Sequence, residues 1–134
     1  MSKICTFDFD KTLVLKHVQE YAIELINDGY DLHVLTTRYD DLHMHLYDNC
    51  HYNNDLWNVI DSIGLPRWKV FFTNMTWKAG FLSSTKVIWH LDDNPKELLE
   101  IKKARIKTIG IQVHAGSWKN KCNRLLKRGY YKQK

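Results

Sequence analysis

Ile4-Cys5-Thr6-Phe7-Asp8-Phe9-Asp10-Lys11-Thr12-Leu13 runs a short apolar segment straight into two aspartates separated by one residue. A strand repeats every second residue, so Asp8 and Asp10 are expected on one side of it. Two carboxylates held together repel each other and cost free energy to desolvate unless a cation lies between them. Mg²⁺ suits that arrangement, because it takes oxygen ligands and is commonly held by one or two carboxylates with waters and a phosphate. The opening segment therefore predicts a strand that delivers carboxylates to a metal-assisted site for phosphoryl transfer.

Outward from this strand, which the pattern places over 3–8, strand and helix signals alternate. Leu15, Val18, Ala22, Leu25 and Ile26 form a helical stripe that Asp28-Gly29 ends. Further strands are expected over 31–35, 70–73, 86–91 and 108–113. Helical segments are expected over 39–47, 54–63, 77–82, 95–104 and 117–127, with Gly64 and Pro66 closing the second and Pro95 opening the fourth. Such alternation predicts a three-layer, Rossmann-like α/β domain, a parallel sheet of about five strands with helices on both faces. The 134 residues leave room for one core, so 1–134 reads as a single domain. Ligands of such sheets bind outside the carboxyl ends of the strands. Asp8 and Asp10, Thr36, and Asp92 with Asp93 all fall at such ends.

No apolar run approaches the roughly 18–20 residues of a membrane span, and no signal-peptide core follows Met1, so a cytoplasmic protein without a membrane partner is expected. Three cysteines, Cys5, Cys50 and Cys122, are odd in number and form no CxxC, which fits reduced thiols. Charge is sharply divided: 11 of the 20 Lys and Arg, and none of the 15 acids, lie beyond residue 100. Lys119, Lys121, Arg124, Lys127 and Arg128 could meet a polyanion such as nucleic acid, or form a solvated basic helix face. His43, His45, Asp48, Cys50 and His51 crowd together but lack the spacings of structural zinc, and read as a polar surface segment. The five tryptophans read mostly as core or half-buried packing. Trp77, beside Lys78, could also stack on a base or sugar, with packing the leading reading.

Four segments, in order, carry a family likeness. DFDKTL (8–13) resembles the first motif of the haloacid dehalogenase-like phosphohydrolases, and VLTTR (34–38) their second. Trp77-Lys78-Ala79 resembles the third motif, and WHLDDNP (89–95) the fourth. The resemblance implies an aspartyl-phosphate mechanism in which Asp8 is the nucleophile and Asp10 the general acid and base. It implies that Thr36 and Lys78 bind phosphoryl oxygens, and that Lys78 keeps Asp8 ionised. Mg²⁺ would be held by Asp93, the Asp8 carboxylate and the Asp10 carbonyl. Asp92 would stand one layer out, orienting Lys78 or a water. Glu97 is similar to a trailing acid of some members, though a helix-surface glutamate is the leading reading. Thr37 and Arg38, next to Thr36, are positioned to hold the substrate, and Arg suits a phosphate.

The segment between Leu13 and the second strand holds one helix and that between Arg38 and the third strand two, so no cap domain is expected. DFDKTL with an arginine after the second motif is similar to the phosphatase half of polynucleotide kinase/phosphatases. That likeness implies a phosphorylated nucleic-acid end or a nucleotide as substrate. Free (deoxy)nucleotides or phosphoproteins are the alternative substrates, and a non-catalytic nucleic-acid or partner-binding module is the alternative of another class. Oligomeric state is left open.

Overall fold

The protein is described by a computed structural model for residues 3–46 and 53–128, with the side chains of 44–46 and 128 left out. Its strands are β1 (Ile4–Phe7), β2 (Asp31–Thr36), β3 (Val70–Phe72), β4 (Val87–Asp92) and β5 (Ile109–Gln112). They form one sheet in the order β3-β2-β1-β4-β5, and every pairing is parallel. The helices are α1 (Lys16–Asn27), α2 (Asp41–Leu46), α3 (Asn54–Ile63), α4 (Lys78–Leu82), α5 (Pro95–Lys103) and α6 (Trp118–Arg128). This is the expected Rossmann-like α/β fold.

Strand order reverses between β1 and β4. The chain builds β1, β2 and β3 in one direction, then crosses back to lay β4 on the free side of β1. Neighbouring crossovers leave from opposite faces at such a point, and the crevice between their loops is where open sheets bind ligands. All six residues of β4 are buried, so the strand carries Asp92 into the interior rather than to the surface.

Two apolar layers hold the sheet. On one face Val18, Tyr21, Ala22 and Leu25 of α1 recur at helical spacing and are buried against Phe7, Leu32, Val34, Trp89 and Leu91. Helices α3 and α6 complete that layer with Leu56, Ile60, Cys122, Leu125 and Leu126. The Trp89 indole N–H donates to the Cys122 carbonyl at 3.2 Å, and the Tyr21 hydroxyl to Asn123 Oδ1 at 2.6 Å, fastening α6 down. The second layer is smaller: Leu35, Ala79, Leu82, Val87 and Ile101, under α4 and α5. Helix α3 ends on Gly64, whose φ of +80° is the left-handed conformation that a side chain disfavours.

Two expectations need correction. β1 ends at Phe7 instead of running through Asp8. Trp89 is core and Trp57 and Trp118 pack at its edge, but Trp68 and Trp77 are 70% and 50% exposed. Trp68 lies on the short turn before β3, where the Lys69 ammonium sits 5.4 Å from its ring. Cys5 and Cys122 are buried free thiols, and burial pushes both up from the ordinary thiol pKa; Cys50 lies outside the described residues. Among the described residues no helix is long and apolar enough to cross a membrane.

Candidate active site

The backbone after β1 decides where the acidic pair goes. Asp8 N–H donates to the Leu91 carbonyl at 2.8 Å, extending the sheet by one more bond. The chain then folds back: Lys11 takes φ 60°, and Leu13 N–H and Val14 N–H return to the Asp8 and Phe9 carbonyls, each at 3.1 Å. Asp8 is left 5% exposed while Asp10 stands out at the rim. Both line one cleft, yet a turn brings Asp10 there and strand periodicity does not.

Below the cleft floor lies a chain of buried polar groups. The Lys78 ammonium, at the first residue of α4, donates to Asp8 Oδ1 at 2.7 Å and to Asp92 Oδ2 at 2.6 Å. Asp92 Oδ2 also takes the His90 Nε2–H at 2.7 Å, and Asp92 Oδ1 takes Asn94 N–H at 3.0 Å. A carboxylate only accepts, so His90 carries its proton on Nε2, and the Thr6 hydroxyl donates to Nδ1 at 2.7 Å. Thr6 and His90 are register partners across β1 and β4, one step below Asp8 and Asp92 on the same face. Glu97 of α5 closes the chain by accepting Lys78 N–H at 3.1 Å. Its leading reading as a helix-surface glutamate is therefore wrong: Glu97 is 5% exposed.

Charge in this network is unevenly matched. Burial pushes the Asp8 carboxyl well above the carboxylate range; Lys78 pulls it down, and Asp92 and Asp93 add to the rise. Burial opposes the charge on Lys78, but Asp8 and Asp92 outweigh it and raise the lysine pKa. Asp92 is held low because its bonds to His90 and Lys78 outweigh its own burial. Burial lowers His90, keeping it neutral, and raises Glu97.

A cleft of about 390 Å³ opens above these groups, lined among others by Asp8, Asp10, Lys11, Thr37, Asp93 and Asn94. Carboxylate oxygens of Asp8, Asp92 and Asp93 lie within 4.8 Å of one another. Asp92 has both oxygens engaged by protein donors, whereas Asp93 is half-buried and presses on Asp8. Hard oxygen donors crowded around a buried carboxylate fit a divalent cation of the Mg²⁺ type.

The other expected residues are distributed around this cleft. Thr36 is fully buried, its Oγ1 accepting Arg38 N–H at 3.2 Å, and Thr37 lines the wall beside it. Arg38 turns back to Asp10 and to Asp55 of α3: Nη2 donates to both at 2.8 Å, Nε to Asp10 at 3.0 Å, and Nη1 to Asp55 at 2.8 Å. Its guanidinium lies 4.9 Å from the Phe9 ring centre and also reaches Asn53 at 3.2 Å. These bonds pull Asp55 down to about 2. Asp55, His90 and Thr6 carry no motif of their own, although His90 and Asp92, like Thr6 and Asp8, show the two-residue spacing of one strand face.

Lys119, Lys121, Arg124 and Lys127 are on the exposed side of α6, and the Arg128 side chain lies outside the described residues. Helix α6 leaves the carboxyl edge of the sheet after β5 and runs back to the amino edge, where Lys3 bonds the Leu126 carbonyl. Arg124 and Lys127 thus lie toward the edge away from the cleft, and Lys119 is engaged with Glu24 at 3.3 Å. In the histidine-rich segment His43 Nδ1 contacts Asp40 at 2.7 Å; the side chains of His45, Asp48, Cys50 and His51 lie outside the described residues.

The site is an acidic, cation-ready cleft at the switch point of a Rossmann-like α/β protein. Comparison with protein-family models, curated proteins and solved structures returns no match.

Proposed function

We propose that the protein is a Mg²⁺-dependent phosphomonoesterase of the haloacid dehalogenase-like type, with Asp8 as nucleophile. One observation carries this reading: a buried lysine bridges Asp8 to Asp92, while Asp93 crowds the open side of Asp8. A core without function gains little from two buried carboxylates on one ammonium with a third carboxylate beside them, since buried charges seldom stabilise more than apolar packing would.

The Asp8 oxygen turned to the cleft attacks phosphorus, and the ester bond breaks on the opposite side. Asp10, whose two oxygens both accept from Arg38 here, must give up one of those bonds to carry the proton that it delivers to the departing oxygen. A water then attacks the aspartyl-phosphate while Asp10 takes that water's proton, releasing phosphate and restoring Asp8. Lys78 holds Asp8 in place and offsets charge on the phosphoryl oxygens from a fixed position, as a preorganised site does. Asp8 and Asp93, with the Asp10 carbonyl, would hold Mg²⁺, and Asp92 would orient Lys78 from behind. When bound, the ion supplies positive charge against the phosphoryl oxygens and relieves the repulsion among the carboxylates. A phosphorylated polynucleotide end is the substrate this reading favours, because among the described residues no inserted domain covers the cleft.

p-Nitrophenyl phosphate with Mg²⁺ tests the activity: hydrolysis that disappears in Asp8→Asn is expected. Full activity in that variant would remove Asp8 from the mechanism. Oligonucleotides with terminal phosphates, mononucleotides and phosphopeptides, compared side by side, then rank the substrate classes.

A further inference from the structure

A second cleft, of about 510 Å³, lies on the seam between α4 and α5. Its walls are Thr76, Trp77, Ala79, Gly80 and Phe81 on one side and Glu100, Lys103 and Ala104 on the other. It adjoins the phosphoryl cleft through shared backbone. Lys78 lines the first cleft and its neighbours Trp77 and Ala79 the second; Glu97 lines the first, and Glu100, one helical turn on, the second.

Trp77 is half exposed and has no place in either apolar cluster of the fold. The loop presenting it is nevertheless fixed. Thr73 and Thr76 exchange hydroxyl-to-carbonyl bonds at 2.7 and 2.8 Å, and Met75 N–H donates to the Thr37 carbonyl at 2.7 Å. Asn74 and Met75 take positive φ values of 54° and 69°, a conformation that side chains disfavour. Holding a strained loop to present an exposed indole and an exposed Met75 is costly unless something covers them.

Lys103 makes the far wall of the seam basic. Arg105 and Lys107 follow it beyond the end of α5 and are exposed. Thr108 Oγ1 donates to the Val87 carbonyl at 2.8 Å, which sets this turn beside exposed Lys86. Among the described residues Glu100 is the one acid on the seam's wall, and Lys103 contacts it at 3.5 Å. An aromatic platform followed by a run of cations is the arrangement that holds single-stranded nucleic acid: bases stack without regard to sequence and phosphates follow the positive charge. Paired bases in a duplex are stacked on one another and cannot use the indole in this way.

We propose that the α4–α5 seam binds a single-stranded polynucleotide, a base stacked on Trp77 and its backbone running over Lys103 toward Arg105 and Lys107. The direction of the strand, its phosphorylated end in the Asp8 cleft, rests on the phosphatase reading; the binding site itself does not.

Fluorescence anisotropy of a labelled oligodeoxythymidylate of about 12 nucleotides, in EDTA so that no hydrolysis intervenes, tests this on the full chain. Trp77→Ala is expected to weaken binding roughly 5- to 150-fold, with Trp77→Phe recovering most of it. Lys103→Glu, Arg105→Glu and Lys107→Glu together should weaken it and lower the salt slope by about 2. A matched duplex should bind more weakly than the single strand. Unchanged binding in Trp77→Ala, equal binding of duplex, or an equal loss from Lys121→Glu with Arg124→Glu on α6 would each overturn the proposal. Trp77-dependent binding in a protein that hydrolyses no phosphomonoester would sink the phosphatase reading and leave the seam standing. Asp8-dependent hydrolysis with Trp77-independent binding would do the reverse.

Discussion

Arg38 clasps Asp10 along one edge of its guanidinium, Nη2 donating to Oδ1 at 2.8 Å and Nε to Oδ2 at 3.0 Å. The opposite edge holds Asp55, so one arginine ties the rim of the cleft to the start of α3. A paired, two-pronged contact fixes the direction of a carboxylate as well as its position.

Arg38→Ala should release Asp10 and loosen α3. Asp10 and Asp55 are more than half exposed, so solvent screens these pairs and stability is expected to fall by only about 1 kcal/mol. Activity should fall further than stability, because Asp10, the proposed proton carrier, loses its orientation. Thermal melts beside kcat and KM measure the two separately, and a loss confined to melting temperature would make Arg38 structural only.

Lys78→Met strips the cation from two buried carboxylates. Removing one partner of a buried ion pair costs about 3–5 kcal/mol, and Lys78, Asp8 and Asp92 are all nearly inaccessible. Denaturant titration with and without Mg²⁺ is the measurement: part of the loss should return with the metal, which offsets the same charges. A variant as stable as the parent without metal would contradict the ion-paired network.

His90 makes stability depend on pH. Burial lowers its pKa in the folded state, while the unfolded chain takes up the proton near about pH 6.5. Protons therefore favour unfolding: this contribution is intact above about pH 6.5 and declines as pH falls below it. His90→Gln, whose amide can still donate to Asp92, should flatten that part of the stability profile. Parallel profiles for parent and variant would mean that His90 titrates alike in the folded and unfolded chains.

Metal affinity separates Asp92 from Asp93 at the end of β4. Asp92 is committed to Lys78 and His90, so Asp92→Asn should weaken Mn²⁺ binding about 10- to 100-fold, as outer residues of metal sites do. Asp93→Asn should weaken it more. Calorimetry on both variants decides the order, and a larger loss for Asp92→Asn would reverse the assignment.

Most of the fold was legible because strand and helix periods alternate cleanly and the acids sit where strands end. What stayed hidden depends on neighbours brought in from elsewhere in the chain. Glu97 lies in a helix whose only buried residues are itself and Ile101, so its sequence looks solvated. Lys78 N–H, arriving from α4, is what takes it inside. Asp55 likewise reads as a first-turn helix acid until Arg38 reaches it. Asp10 sits at the cleft for a reason other than strand alternation, since the chain turns at Lys11 before a second strand step is made. In the sequence Trp77 reads as packing because tryptophan usually is, and only its place on a fixed loop exposes it.

Beryllofluoride adds to an ionised aspartate as a phosphoryl mimic, so it probes Asp8 without knowledge of the substrate. Fluorine NMR of the protein with Mg²⁺ and beryllofluoride should give bound resonances that vanish in EDTA and in Asp8→Asn. Bound resonances that survive in Asp8→Asn, or none in the parent protein with Mg²⁺, would contradict a nucleophilic Asp8 working beside a divalent cation.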